Sequence, residues 1–237
     1  MDEPTLKGLR RWLHLASSPP QHEAPPPAGP EQGDNSVSRE IEFWAYSEDC
    51  RIYGFVQLRA ERLSDLLNSG VDLELSSVLL VALEDNHAVE IQRLVVQPDE
   101  LVAVRGLGPR GNAARRMRRR PAPVGMRAGP YIIHGYVHTP PGADPLQAFR
   151  RRKRMVALTE GRIEYMAGSQ THRARVGTII VNRDYVEWLD HAKDAEVRLD
   201  LPAEMRVDPR AKDMTGQIRI FRDTDADTTD EVQPPPR

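Results

Sequence analysis

The feature that most constrains this chain is a stretch written twice. Arg51–Val104 opens Arg51-Ile52-Tyr53-Gly54-Phe55-Val56, and Ile132–Leu189 opens Ile132-Ile133-His134-Gly135-Tyr136-Val137. The first closes with Val95-Val96-Gln97-Pro98-Asp99 and runs on to Val104. The second closes with Ile180-Val181-Asn182-Arg183-Asp184 and runs on to Leu189. Asp99 follows Gly54 by 45 residues and Asp184 follows Gly135 by 49, so an insertion of four residues separates the copies. Self-similarity at this spacing predicts two small units in tandem.

At 237 residues the chain has room for one or two domains. Hydrophobic residues make up 39 %, aromatics only 5 %, and there are 20 prolines, which favours modest cores joined by extended segments over one large core. The lone Cys50 excludes an internal disulfide framework and fits a reducing compartment. No apolar run approaches the ~20 residues that span a bilayer, and no leader-like stretch follows Met1. The expectation is a soluble cytoplasmic protein without a cofactor.

Net charge is −2, but its distribution is uneven. Thirteen basic residues and one acid, Asp144, fall between Arg105 and Arg154, whereas fourteen acids and eight bases follow from Asp184 onward. Such asymmetry suits an anionic partner, or an acidic tail folded back on the basic part. The cations are 29 Arg and four Lys, a ratio that a genome rich in G and C also produces.

Residues 4–16 read as a short amphipathic helix, with Leu6, Leu9, Trp12 and Leu13 on one stripe flanked by Lys7, Arg10, Arg11 and His14. So short a helix needs a surface to fold on: a partner's groove, an anionic membrane face, or the chain's own domains. Prolines 19, 20, 25, 26, 27 and 30 make residues 17–38 a semi-rigid tether. Beyond it, Ile41–Ala45, Cys50–Leu58, Val78–Leu83, Ala88–Val96 and Glu100–Val104 read as strands, with a short helix at Arg62–Gly70. The second copy gives Tyr131–His138, Met155–Thr159, Gly161–Met166, His172–Val181 and Tyr185–Leu189, with a helix over Asp144–Arg152 capped by Asp144 and opened by Pro145. Gly54 and Gly135, inside strands, signal a bulge, a bend or a close backbone approach. Past Leu189 the chain is charged: Val197, Leu199 and Leu201, and again Ile218 and Ile220, alternate as added edge strands would, and Asp223–Arg237 reads as disordered.

The run Gly54-Phe55-Val56-Gln57-Leu58, then Arg62-Leu63-Ser64-Asp65-Leu66-Leu67-Asn68, and the closing Val181-Asn182-Arg183-Asp184-Tyr185-Val186 resemble a small bacterial domain family that carries no functional name. Copy one keeps the helical signature but has Val96-Gln97-Pro98-Asp99 at the hairpin; copy two keeps the hairpin but has Ala143-Asp144-Pro145-Leu146-Gln147-Ala148-Phe149 at the helix. The resemblance covers about half the chain and implies no activity. More loosely, a short helix beside five strands is similar to Sm-like small barrels, which bind RNA, and this is fold-level analogy alone.

Chemistry-bearing constellations are sparse. His134, Tyr136 and His138 put two imidazoles on one strand face without a third ligand at metal spacing. Gly106-Leu107-Gly108-Pro109-Arg110-Gly111 has the look of a phosphate loop but lacks the Lys-Ser/Thr that should follow. No nucleophile elbow is present, and Glu84-Asp85 lies in a polar turn. The cation runs Arg115, Arg116, Arg118, Arg119 and Arg120, and Arg150, Arg151, Arg152, Lys153 and Arg154, are the anion-binding candidates, although the second also complements a helix C-terminus.

The expectation is therefore a mainly β protein with two tandem five-stranded barrels or rolls, each carrying one short helix, between flexible extensions. Its parts are residues 1–38 (helix and tether), 39–107 (first domain), 108–126 (basic linker), 127–192 (second domain) and 193–237 (charged tail). The leading function is a non-enzymatic interaction scaffold that docks its N-terminal helix on a protein partner. The alternative is a nucleic-acid-binding regulator acting through the Arg-rich segments. A membrane contact by the helix is also open, and the sequence does not set the oligomeric state.

Overall fold

The computed structural model describes Trp12 and residues 38–111, 119–193, 206–212 and 218–221. The chain divides into two compact units, Met1–Leu199 and Asp200–Arg237. The first unit runs β1 (Arg39–Tyr46), β2 (Cys50–Leu58), α1 (Leu63–Leu67), β3 (Leu73–Ala82), β4 (Ala88–Val96) and β5 (Ala103–Arg105). It continues with β6 (Arg120–Ala128), β7 (Tyr131–Thr139), α2 (Pro145–Arg150), β8 (Met155–Ala167), β9 (Gln170–Asn182) and β10 (Val186–His191). A 3-10 turn, Pro98–Glu100 or Arg183–Tyr185, precedes β5 and β10. In the second unit β11 (Arg206–Lys212) and β12 (Ile218–Phe221) form an antiparallel pair.

Local chemistry accounts for these elements. In β1 and β2 every second side chain from Ile41 to Ala45 and from Cys50 to Leu58 is buried, the period-two pattern of a strand with one face on a core. Leu63, Leu66 and Leu67 give α1 its buried side. The Asp144 carboxylate caps α2 by accepting from the Leu146 and Gln147 amides, both at 3.2 Å, with Pro145 in the first turn.

Two expectations are corrected. Neither set of five strands closes into a barrel: ten strands form one antiparallel sheet in the order β10-β6-β7-β8-β9-β5-β1-β2-β3-β4. The cause is β5, which pairs with β1 on one side and β9 on the other, so its outer backbone groups are taken by the other half. In addition, Arg120–Ala128 is a strand, although most of it was expected to be basic linker. Its prolines are tolerated because of where they point. The Pro123 carbonyl accepts from the Ala192 amide, on the side away from β7, so that side also receives the missing N–H of Pro123 and, by strand alternation, of Pro121.

The two halves of the sheet share a register. Phe43 is opposite Gly54, and Val124 is opposite Gly135. The ladder shifts at each of these glycines, with Phe55 then opposite Ser76 and Tyr136 opposite Thr159. The residue after each partner has positive φ, Ser77 at 49° and Glu160 at 53°. A Cβ on Gly54 would stand 3.2 Å from the Ser76 carbonyl oxygen, and one on Gly135 3.0 Å from Leu158 Cβ, so both glycines mark the close approach and bulge that their strand positions imply.

Two hydrophobic clusters lie along the sheet and interlock at the joint. The first gathers Phe43, Ile52, Leu63, Leu75, Leu80 and Leu94 and takes Met155 and Ile180 from the second half. The second gathers Val124, Tyr131, Ile133, Phe149, Leu158 and Ile163 and takes Tyr46, Leu83, Val102 and Ala103 from the first. Trp12 is fully buried in the first cluster, and its indole N–H donates to Asp49 at 3.0 Å. Cys50 is buried beside Ser47, and burial pushes its thiol far up, away from reactivity.

Candidate anion-binding cleft at the joint

Pairing β5 with β9 brings α1 and the loop after β5 over the second half. Between them lies a cleft of about 680 Å³ with a strongly cationic lining. Arg62 enters from the start of α1, Arg110 from the loop, Arg119 from the residue before β6 and Arg152 from the end of α2. His138 at the end of β7, with Thr159 and Glu160 on β8, completes the polar wall.

The side chains are held by short-range contacts. Arg62 is half-buried, its Nε buried with no hydrogen-bond partner. It lies against Gly111, whose φ of +71° favours glycine and where a Cβ would displace the Arg62 side chain. Arg152 Nη2 donates to the His138 carbonyl, and His138 Nε2 shares a 2.8 Å hydrogen bond with Thr159 Oγ1. Burial, then the Arg152 and Arg119 charges, push His138 below the usual imidazole range, which favours the neutral ring at pH 7. Burial, followed by Arg119, also lowers Arg152 from its ordinary value. Like charges are thus gathered closely enough to oppose one another. The carboxylate of the lining, Glu160, is already engaged by Arg175 Nη2 at 2.5 Å.

The fold sorts the expected residues. Arg115, Arg116 and Arg118 lie outside the described residues, as do Leu6, Leu9 and Leu13. Arg119 reaches the cleft, whereas Arg120 begins β6 and is exposed. Of the second run, Arg152 enters the cleft, while Arg150, Arg151 and Lys153 are exposed. Arg154 pairs with Asp184 at 3.0 Å and Asp99 at 3.9 Å. The Arg150 and Arg152 carbonyls both accept from Arg183 Nη1, at 2.6 and 2.5 Å, which anchors the turn between α2 and β8. Trp12 is enclosed by its own chain. Arg110 belongs to the Gly106–Gly111 loop, set aside as a phosphate loop for want of a following Lys-Ser/Thr, whereas Arg62 belongs to no charge run, and the pairing that brings them together is long-range. Among the described residues no three His, Cys, Asp or Glu side chains gather as a metal site would require, and no helix is long and apolar enough to cross a membrane.

No family model, no curated protein and no solved structure matches the chain.

Proposed function

We propose that this is a non-enzymatic interaction module, built from two divergent copies of one β-β-α-β-β-β unit, that holds a phosphate-bearing polyanion at the joint between them. The shared register, the paired glycines and the positive φ at Ser77 and Glu160 support the duplication. The single observation that carries the function is four guanidinium groups converging on one cleft whose carboxylate is already paired with Arg175. Guanidinium forks match phosphate oxygens, and four of them line this one cleft. Among the described residues no Phe, Tyr or Trp lines the cleft, so His138 is the one aromatic ring a base could meet there. A nucleic-acid strand held by its backbone, without sequence readout, fits this lining best.

Fluorescence anisotropy of a labelled single-stranded RNA tests the reading. Binding at low salt is expected to weaken as salt rises, with a log–log slope of about −0.7 per phosphate contacted. Arg62→Gln and Arg152→Gln should each weaken it irrespective of base sequence. Absence of binding at low salt, or binding that both variants leave untouched, would sink the proposal.

A further inference from the structure

We infer that the chain assembles head to tail with further copies of itself, β10 of one molecule adding to β4 of the next. This rests on reading the two halves as equivalent and does not depend on what occupies the cleft. The sheet contains one joint of this kind, with Ala103, Val104 and Arg105 on β5 opposite Val181, Ile180 and Ile179 on β9. β5 also pairs with β1, Ala45 opposite Val104 and Tyr46 opposite Ala103, and β10 pairs with β6 in the same way, Met126 opposite Leu189 and Arg127 opposite Trp188. Thus β10 stands in its half as β5 stands in the first. Yet among the described residues β10 and β4 end the sheet, each with a neighbour on one side only.

Carrying the internal register across places Trp188, Leu189 and Asp190 opposite Val96, Val95 and Leu94 of the next copy. The side chains support it. At the internal joint Val104 and Ile180 share the first core. Their counterparts on the open edges are Leu189, half-buried against the second core, and Val95, 41 % exposed, with Trp188 next to Leu189 in the chain 53 % exposed. Apolar side chains on a strand edge invite another strand; here they stand among the charges Glu187 and Asp190 on β10 and Glu90 and Arg93 on β4. The flanking contacts carry over as well. At the joint Asn182 Nδ2 donates to the Asp99 carbonyl, and across the edges Gln97 and Asp184 hold those places. The α1 C-cap Asn68 bonds the Met155 backbone through both amide atoms, and across the edges the α2 C-cap Arg151 faces Asp72, an opposite charge. One patch meeting a different patch gives a ring if the rotation closes and a filament if it does not.

Light scattering on the full chain, eluted from a sizing column through the micromolar range, decides the matter. The expected result is a mass of several chains that falls on dilution, and the Val95→Lys and Trp188→Lys variants, which replace exposed side chains, should elute as monomers with unchanged circular dichroism. A register test adds Leu189→Cys mixed with Val95→Cys, which should form a disulfide-linked pair, against Leu189→Cys mixed with Ile91→Cys, which should not. A monomer throughout the range overturns the inference, as does an assembly that both lysine variants leave intact.

Discussion

Gln57, Ser76 and Ser77 in the first half stand where His138, Thr159 and Glu160 stand in the second, on strands with the same ladder shift and the same positive φ. The backbone device is common to both halves; the charge is not. In the second half those positions face α1 and the loop after β5, and there Arg62, Arg110, Arg119 and Arg152 gather. In the first half they carry amide and hydroxyl groups. The cationic chemistry thus lies at the joint, where residues of both halves meet, so neither half's sequence, read by itself, displays the whole site.

The comparison can be broken at the cores first. Trp12 is the largest side chain of the first cluster and Phe149 is among the largest of the second, and both are fully buried. Trp12→Ala and Phe149→Ala should each cost about 3–5 kcal/mol by thermal or urea unfolding, because a large aromatic leaves a cavity that its neighbours fill only partly. Since each cluster takes residues from the other half, both variants should lower one shared transition. Two separated transitions would show the halves to be independent.

A finer cut tests the bulges. A Cβ at Gly135 would meet Leu158 Cβ at 3.0 Å and the Thr159 carbonyl at 3.1 Å, whereas at Gly54 the closest atom is the Ser76 carbonyl at 3.2 Å. Gly135→Ala should therefore destabilise by about 1–3 kcal/mol, and Gly54→Ala by less, in side-by-side urea titrations. Equal costs would mean that the two strand crossings are not packed as their distances state.

The smallest effect is the dependence on pH. His138 is lowered below its ordinary 6.5 by burial and by the Arg152 and Arg119 charges, and His172 is lowered by burial and then by Arg51. A folded-state value below the unfolded one means that the unfolded chain takes up protons first. The contribution is therefore complete above pH 6.5 and is lost as pH falls through the folded values. Both rings are partly exposed, so solvent screening holds the loss to a fraction of a kcal/mol. His138→Gln should flatten part of that decline. An unchanged slope would place the titration elsewhere.

Much of the sheet was legible from the sequence, because alternation and punctuating glycines are local signals. Cys50–Leu58 and Ala88–Val96 match their strands to the residue, the Asp144 cap is present, and Gly54 and Gly135 mark the ladder shifts. β6 was hidden by Pro121, Pro123 and flanking arginines, which mimic a linker until one sees that the prolines turn outward. The second half still reads as five strands, because the kink at Glu160 divides the long β8 into two apparent ones. Closure into barrels was the reasonable guess for five strands and a helix. What overturns it is a pairing between Ala103–Arg105 and Ile179–Val181, and no local periodicity announces a partner that far along the chain. The cleft was legible only in pieces, as Arg119, Arg152, His138 and the Gly106–Gly111 loop, because the pairing that joins them is equally distant.

The three residues of β5 also order events in time. Their outer backbone groups have no partner until β9 has been synthesised, so the N-terminal part emerges from the ribosome with a raw seam that only the late-made strand can stitch. During that interval the growing chain depends on the rest of its translation, and on whatever shields the seam, to avoid joining a neighbouring nascent chain instead.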